Sequence, residues 1–375
     1  MNSFIIRLAL LLLTLTASAA EIRRLDNSRI STAAAESFAR QTLAAAHVTG
    51  AQIAVLNQGK LVWSFAYGLR QKAPDLPMTP QTTTWAASIT KSIFATYLAQ
   101  LHFPLDIPVA QLLPQPLDTY EPYRATAPDL VRDPQWPRVT IRMLLAHTSG
   151  LVNFATDEPD KKMHLHTPPG AIYRYSGQGF NLAQFVVEQR QGKPLAELMD
   201  AAVFTPLQMT RTSLIFRPEF ESDIADRFGT DEQFLAKTRR FPARAAGSLT
   251  TTAEDLAKFA SNLLAGQFVP HKPVIAITSL HQFPTQPNEP PGQEALQVGL
   301  AYSAGWGLLT KTRFGPAFFK EGHGDGAQTY LICFQKSKSC MILLANSDNG
   351  ERTFRPLLEK ILGDTVTPWV WEGYP

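Results

Sequence analysis

Two strand pairs at opposite ends of the chain constrain its fold most strongly. Near the start, the apolar runs 51–56 and 61–65 flank Asn57-Gln58-Gly59-Lys60, which is typical of a hairpin with a glycine-bearing turn. Near the end, the apolar runs 330–334 and 340–344 flank a polar segment and predict a second hairpin. Strands near both ends indicate one sheet that the two ends of the chain complete together.

The second hairpin contains both cysteines of the chain, Cys333 and Cys340. If Lys336 and Ser337 form its turn, the two cysteines face each other across the strands. A cross-strand disulfide and two buried free thiols are both compatible with this placement, and an oxidising compartment favours the disulfide.

The long segment between the hairpins has helical rather than strand periodicity. Apolar spacing predicts helices at residues 31–46, 140–146, 181–191, 194–203, 252–264 and 353–362. The pattern predicts an α/β (α+β) protein in which an antiparallel sheet is flanked by terminal helices. The sheet lobe covers about 28–84 and 300–365, and an inserted, mostly helical lobe covers about 85–299.

The first nineteen residues have the three parts of an export signal. Arg7 supplies a positive charge, residues 8–16 are apolar, and Ala17-Ser18-Ala19 gives a small-x-small cleavage pattern. The apolar stretch is shorter than the roughly 20 residues that span a bilayer. We therefore expect a Sec-type signal peptide at 1–19, no membrane anchor after cleavage, a periplasmic or secreted protein and one hydrolase domain at 20–375.

Charge and motif patterns exclude several classes of function. The net charge is only +3 and no basic stripe is present, so we expect no nucleic-acid partner. The chain has no glycine-rich phosphate loop and no dinucleotide fingerprint, so we expect no cofactor. His164 and His166 have no third ligand at a recognisable spacing, so we expect a solvated loop and no metal.

The first candidate for chemistry is Ser88-Ile89-Thr90-Lys91, at the start of an apolar-periodic segment. Positions i and i+3 share one face of a helix, so Lys91 can reach the Ser88 hydroxyl. A partly desolvated lysine can take the serine proton, and a helix N-terminus favours an oxyanion. The tetrapeptide alone also fits a helix-capping serine followed by an exposed lysine.

The wider context favours the catalytic interpretation because six further motifs follow in order. They are Pro104-Leu105-Asp106, His147-Thr148-Ser149-Gly150, Tyr173-Arg174-Tyr175-Ser176-Gly177, Phe204-Thr205-Pro206-Leu207, Ala246-Gly247-Ser248 and Gly322-His323-Gly324-Asp325-Gly326. The series resembles the family that unites class C β-lactamases, D-alanyl-D-alanine carboxypeptidases, D-aminopeptidases and related esterases. It spans nearly all of the expected mature chain, and it implies a β-lactamase/transpeptidase-like fold.

The resemblance implies roles for individual residues. Ser88 matches the family nucleophile, Lys91 its partner and Tyr175 a tyrosine that relays the proton. Outside this frame, Tyr175 fits a packed aromatic residue in a loop. His323 matches the Lys or His that the family carries on the strand lining the cleft. There it would hold a substrate carboxylate or support the proton path of Tyr175.

The alignment also predicts supporting groups around the reaction centre. It predicts a second oxyanion donor, a backbone N–H near Asp325 or Gly326, beside the N–H of Ser88. The His147-Thr148-Ser149-Gly150 segment is interpreted as structural, because a short polar run ending in glycine suits a helix terminus.

Two departures from the family pattern concern the substrate. Gly177 occupies the place of an asparagine that normally contacts the lysine and the substrate carbonyl, and Gln178 or Asn181 would have to replace it. Asp325 stands where the strand motif usually has glycine. A carboxylate there would repel an anionic substrate or accept a cationic one, unless the strand is shifted by a residue.

The resemblance thus predicts a serine hydrolase that acts through a covalent acyl-enzyme on a small-molecule or peptidoglycan-like substrate. Esters, D-amino-acid peptides or amides, and β-lactams are the candidate substrates. His323 and Gly177 favour esterase or peptidase-like hydrolysis over β-lactam destruction. The alternative is a non-catalytic binding protein that has kept the fold and lost turnover.

Overall fold

A central antiparallel sheet organises the molecule. The structure is a computed structural model that describes residues 20–266, 273–276 and 292–374, so the expected signal peptide at 1–19 lies outside the described residues. The strands are β1 (Glu21–Arg23), β2 (Arg29–Ser31), β3 (Gly50–Asn57), β4 (Lys60–Lys72), β5 (Asp75–Pro77), β6 (Thr84–Trp85), β7 (Asp226–Phe228), β8 (Phe234–Lys237), β9 (Thr250–Thr251), β10 (Ile275–Ala276), β11 (Leu300–Tyr302), β12 (Gly307–Leu309), β13 (Ala317–Gly324), β14 (Ala327–Phe334) and β15 (Ser339–Ala345).

Along the chain, most of the helices come between the strands that begin the sheet and those that complete it. They are α1 (Thr32–Ala45), α2 (Ile89–Gln100), α3 (Val109–Leu112), α4 (Pro128–Arg132), α5 (Ile141–Leu145), α6 (Gly177–Gln191), α7 (Leu195–Met199), α8 (Ala253–Ala265), α9 (Gln293–Gln297), α10 (Phe354–Leu357) and α11 (Trp369–Glu372). Among the described residues, no helix combines the length and apolar character needed to cross a membrane.

The order of the strands joins the two ends of the chain, as the hairpins predict. In the described part of the chain, the main sheet has the order β10-β11-β12-β13-β14-β15-β3-β4-β5, and its neighbouring strands are antiparallel. Strand β15 pairs with β3, so the last strand of the chain lies beside the first long one. The predicted α/β architecture, an antiparallel sheet with helices around it, is confirmed.

Both faces of the sheet are covered, which explains why its central strands are apolar throughout. In β15, Ile342 and Leu344 pack into a core shared with the helical lobe. Met341 and Leu343 pack into a second core shared with the terminal helices. Alternate side chains of a strand point to opposite faces, so a continuous apolar run fills two cores.

The register of the second hairpin places Cys333 opposite Cys340, and the two form a disulfide. The sequence left open whether these cysteines are bonded, and the structure confirms the disulfide. Both residues are fully buried within the sheet.

Candidate active site

Helix α2 places Ser88 at its N-terminus, at the wall of a cleft. Ser88 is the N-cap residue, and the next ten residues of the helix are buried. The preceding Ala87 adopts a φ of 43°, in the left-handed region that non-glycine residues occupy at a cost of about 1–3 kcal/mol. The surrounding backbone holds this turn, since the N–H of Ala86 donates to the carbonyl of Leu249. Strain of this kind immediately before a serine is typical of a functional site.

Lys91 lies one turn along α2, as the spacing predicts. Its Nζ donates to the Ser88 Oγ at 3.0 Å and to the carbonyl oxygen of Ala246 at 2.5 Å. The side chain is only 1% exposed, and the structure therefore places a buried amine directly against the serine hydroxyl.

Tyr175 reaches the same point from the loop before α6. Its ring centroid lies 4.9 Å from the Nζ of Lys91, and its phenol interacts with both Lys91 and Ser88. The next residue, Ser176, caps α6 and donates its backbone N–H to the Nδ1 of His147 at 3.0 Å. The structure thus brings Ser88, Lys91 and Tyr175 together, although they are distant in sequence.

The buried ring of His147 helps to position Tyr175. The two ring centroids are 4.3 Å apart, and the His147 carbonyl accepts the N–H of Arg174 at 2.6 Å. Burial and the nearby charges of Lys91 and Lys320 hold the pKa of His147 well below its usual value, so the ring is neutral at neutral pH. These contacts agree with a structural role for the His147–Gly150 segment.

Lys320 is a site residue that the sequence reasoning missed. It lies on β13, is 1% exposed, and its Nζ is 5.2 Å from the Tyr175 ring centroid. Its Nζ also donates to the carbonyl of Glu321 at 2.8 Å and lies 3.3 Å from the Glu321 carboxylate. Burial lowers the pKa of Lys320, but the charge of Glu321 and the phenol of Tyr175 raise it more. We conclude that Lys320 is a buried cation held beside Tyr175.

The pKa values of Tyr175 and Lys91 both fall below their ordinary values. Burial raises the pKa of Tyr175, but the ammonium charges of Lys320 and Lys91 outweigh it, and the pKa falls below its ordinary value. Burial and the charge of Lys320 lower the pKa of Lys91, while Tyr175 opposes the shift. A tyrosine that loses its proton more easily and a lysine that holds its proton less tightly can exchange a proton with the serine.

The strand carrying Lys320 runs directly against the nucleophile. The pairing of β12 with β13 ends at Gly307 opposite Phe319, so β12 does not cover the later part of β13. A Cβ added at Gly322 would lie 2.7 Å from the carbonyl oxygen of Ala86 and 2.9 Å from the amide nitrogen of Ser88. Only glycine permits this approach of the strand to the start of α2.

His323 lines the cleft, but the residue of this strand that lies beside Tyr175 is Lys320. Its Nδ1 lies 2.5 Å from the Oε1 of Gln328, and its Nε2 lies 2.5 Å from the hydroxyl of Tyr374. Because side chains alternate along a strand, His323 turns away from the face that carries Lys320 and Gly322. The expected role of His323 beside Tyr175 therefore belongs to Lys320, and its alternative role, holding a substrate carboxylate, stays a prediction.

This correction removes one departure from the family pattern. Lys320-Glu321-Gly322 has lysine first and glycine third, as the strand motif requires, so Asp325 no longer stands in the glycine position. The sequence analysis placed the first residue of the motif at His323, three residues beyond Lys320.

Asp325 and Gly326 form the two-residue turn between β13 and β14. The N–H of Gly326 donates to the carboxylate of Asp348 at 2.6 Å, so this N–H is not available to a substrate oxygen. The carbonyl of Asp325 accepts from the guanidinium of Arg227 at 2.7 Å. The predicted oxyanion role of Gly326 is therefore wrong, because its N–H already donates to Asp348.

Gly177 starts α6, and a neighbouring aromatic ring explains why it has no side chain. A Cβ added there would lie 2.6 Å from the Phe154 ring. Its N–H donates to the Oδ1 of Asn153 at 2.8 Å, and both Asn153 and Phe154 line the cleft. The suggested replacements, Gln178 and Asn181, are not cleft-lining residues. Asn153 is therefore the carboxamide available near the Gly177 position.

The nucleophile and its two partners border one large cleft. Its volume is about 930 Å³, and Ser88, Lys91, Tyr175 and His323 all line it. The remaining lining residues include Trp85, Asn153, Phe154, Arg227, Lys237, Arg239, Arg240, Phe241, Arg244, Asp325, Asp348 and Glu351.

A separate group of side chains is the one combination of possible metal ligands found among the described residues. Asp129, Asp160 and His164 bring their ligand atoms within 4.8 Å of one another. Lys162 binds the Asp129 carboxylate at 2.8 Å, so a cation already neutralises this group. His166 pairs instead with Glu158 at 2.5 Å.

Comparison with known proteins gives matches at three levels. A family model described as Beta-lactamase matches residues 35–363. Esterase EstB of Burkholderia gladioli is 30% identical over 199 residues, which are 45% of this chain and 48% of the esterase. A D-aminopeptidase of Gluconobacter oxydans is 27% identical over 173 residues, 44% of this chain and 32% of that protein. The matches thus span about half or less of these curated relatives.

Solved structures share the fold over most of the chain. The octameric penicillin-binding protein homologue from Pyrococcus abyssi has a TM-score of 0.70 and 21% identity, covering 92% of this chain and 81% of its own. The beta-lactamase/D-alanine carboxypeptidase from Pseudomonas syringae has a TM-score of 0.67 and 17% identity, covering 88% and 98%. At this identity the likeness shows the fold alone, and it confirms the expected β-lactamase/transpeptidase-like architecture.

Proposed function

The chain belongs to the beta-lactamase family, and on that premise we propose that it is a serine hydrolase that forms a covalent acyl-enzyme on Ser88. The observation that carries the proposal is the contact of Lys91 Nζ with Ser88 Oγ at 3.0 Å, with the Tyr175 phenol interacting with both groups. A serine hydroxyl becomes a useful nucleophile only when a neighbouring base takes its proton.

The reaction follows from these contacts. The Ser88 Oγ attacks a carbonyl carbon while its proton passes to Lys91 or Tyr175, and the Ser88–acyl bond forms as the leaving group departs with a proton from Tyr175. Water then attacks the acyl-enzyme by the reverse proton path and releases the acid. Lys320 keeps the phenol acidic, and the N–H at the start of α2 faces the developing oxyanion.

Esters and D-amino-acid peptides or amides are the proposed substrates. The curated relatives named as an esterase and a D-aminopeptidase support this choice. Gly177 still supports it, because the family asparagine is missing from its usual place. The argument from His323 no longer applies, since Lys320 supplies the lysine of the strand motif.

Active-site labelling tests the proposal directly. The protein is incubated with a fluorophosphonate and, separately, with p-nitrophenyl esters, and its intact mass is measured. We expect one adduct per chain in the wild type and none in Ser88→Ala. Folded protein that gains no adduct from any acylating probe would refute the proposal.

A non-catalytic binding protein is the second candidate. Gly177 favours it, because the asparagine that the resemblance led us to expect is absent at this position. Folded protein that gives no adduct with any acylating probe favours this case, whereas a covalent adduct that is lost in Ser88→Ala argues against it.

We also propose export to the periplasm or the medium. The Cys333–Cys340 disulfide supports an oxidising compartment. Protease protection and cell fractionation of the full-length chain test this location, and a reduced, cytosolic protein would contradict it.

A further inference from the structure

The cleft is unevenly charged. Six Lys or Arg residues line it against three acids, Asp325, Asp348 and Glu351. Two of the acids already have polar partners on the β13–β14 side: Asp348 accepts the N–H of Gly326, and Glu351 lies 3.7 Å from His323. The opposite side is formed by the segment from β7 to β9, which contributes five of the six basic residues.

Two arginines of that segment contact the Trp85 ring, and a third lies near one of them. The Arg240 guanidinium lies 3.3 Å from the Trp85 ring centroid, and that of Arg227 lies 5.2 Å from it. The indole N–H of Trp85 donates to the carbonyl of Gly247 at 2.5 Å, which fixes the ring. The third, Arg244, is near enough to Arg240 for their charges to repel. We call Arg227, Arg240 and Arg244 the arginine cluster.

The arginine cluster lacks the acidic partners that nearby arginines have. Arg239 pairs with Glu221, and Arg217 pairs with Asp200. Among the described residues, no carboxylate forms an ion pair with the arginine cluster, although Asp325 and Asp348 attract Arg227, and Asp325 attracts Arg240, over longer distances. Arg227 donates instead to the main-chain carbonyl of Asp325 at 2.7 Å.

Bringing these three charges together is electrostatically unfavourable. Burial and the positive charges of Arg227 and Arg244 lower the pKa of Arg240 to about 10. Like charges on neighbouring residues destabilise a protein unless an anion compensates them. The cluster is therefore suited to an anion that arrives from solution.

The arginine cluster lines the same cleft as the nucleophile. Trp85 precedes Ser88 by three residues, so their Cα atoms are at most about 11 Å apart. A guanidinium that stacks on an aromatic ring keeps its N–H edge exposed for a carboxylate or phosphate. An anionic group a few bonds from a carbonyl held at Ser88 would meet this edge.

We propose that the substrate carries an anionic group, such as a carboxylate, that binds the arginine cluster while its ester or amide carbonyl lies at Ser88. This inference rests on the proposed serine hydrolase function and specifies the substrate class. The anion belongs either to the acyl chain or to the leaving group.

Two matched ester pairs separate these sources. The monoester of adipic acid with p-nitrophenol is compared with p-nitrophenyl hexanoate, which tests the acyl side. For the leaving group, 3-carboxy-4-nitrophenyl acetate is compared with 4-nitrophenyl acetate. Each pair is assayed with wild type, Arg240→Gln, Arg244→Gln and the double variant. Arg190→Gln is the control, because Arg190 is exposed on α6 and is not a cleft-lining residue.

We expect the wild type to favour the anionic member of at least one pair in kcat/KM. The preference should fall about tenfold in the double variant, because it loses charge-assisted hydrogen bonds. Neutral esters should change less than twofold, and the anionic preference should weaken at high salt. Equal kcat/KM for both members of both pairs, or a preference that survives in the double variant, would overturn the proposal.

A binding measurement separates this inference from the proposed hydrolase function. If no ester is turned over and no probe labels Ser88, glutarate binding to the wild type and the double variant is measured by calorimetry. Binding that the double variant loses supports the anion site without the enzyme. Wild-type protein that binds no glutarate would then refute the anion site as well.

Discussion

Replacing Lys320 with methionine tests whether a buried ammonium tunes the proton carrier. The Lys320 Nζ lies 5.2 Å from the Tyr175 ring centroid. At an effective dielectric constant of about 20, a unit charge at this distance stabilises a phenolate by about 3 kcal/mol. An effect of this size corresponds to roughly a hundredfold in rate when the deprotonated phenol is required.

The sign follows from the direction of the pKa shift. Lys320 lowers the pKa of Tyr175, so its removal raises that pKa and reduces the reactive phenolate at neutral pH. We expect kcat/KM of Lys320→Met to fall about a hundredfold at pH 7 and to recover as the pH rises. The ascending limb of the pH–rate profile should move to higher pH.

The assay is kcat/KM for a p-nitrophenyl ester across the accessible pH range. Lys320→Arg is the matched control, because it keeps the charge and should keep the limb near its wild-type position. The change also leaves Glu321 without its cation, so thermal unfolding of each variant must show folded protein. A folded Lys320→Met enzyme whose profile superimposes on the wild type would refute the argument.

Three further predictions concern stability. Gly177→Ala should lower the free energy of unfolding in urea by about 1–3 kcal/mol, because the added Cβ meets the Phe154 ring. Phe154→Leu in the same chain should restore much of the loss, and no restoration would exclude this contact as the cause. Replacing Cys333 and Cys340 together with alanine should cost about 2.5 kcal/mol at most from loop closure, because the strands remain paired; a loss twice as large in the same titration would contradict this. Burial raises the pKa of Glu372 well above its usual value, so the free energy of unfolding should decrease as the pH rises above the ordinary 4.5. Glu372→Gln should flatten that decrease between pH 5 and 8, and an unchanged slope would be inconsistent with a neutral, buried carboxyl.

The sequence predicted the relations that are local along the chain. Residues i and i+3 of a helix share a face whatever surrounds it, and the structure accordingly places Lys91 against Ser88. Two continuous apolar runs around a polar turn likewise predicted the hairpin in which Cys333 faces Cys340. The ordered motifs added Tyr175, which no local pattern connects to α2.

Tertiary structure alone decided which strand residue faces the site. Side chains of a strand point to alternate faces, so a residue an odd number of positions from Lys320 lies on the other face of the sheet. His323 is three positions beyond Lys320, and the sequence carries no measure of the register of β13 against α2.

Contacts between distant segments also decided the shape and charge of the cleft. Phe154 fills the space beside Gly177, and Arg240 stacks on a tryptophan 155 positions earlier in the chain. Periodicity describes only neighbours within a helix or strand, whereas these contacts depend on how loops pack around the sheet. The reactive pair was therefore readable from the sequence, and the groups that tune and surround it were determined by the fold.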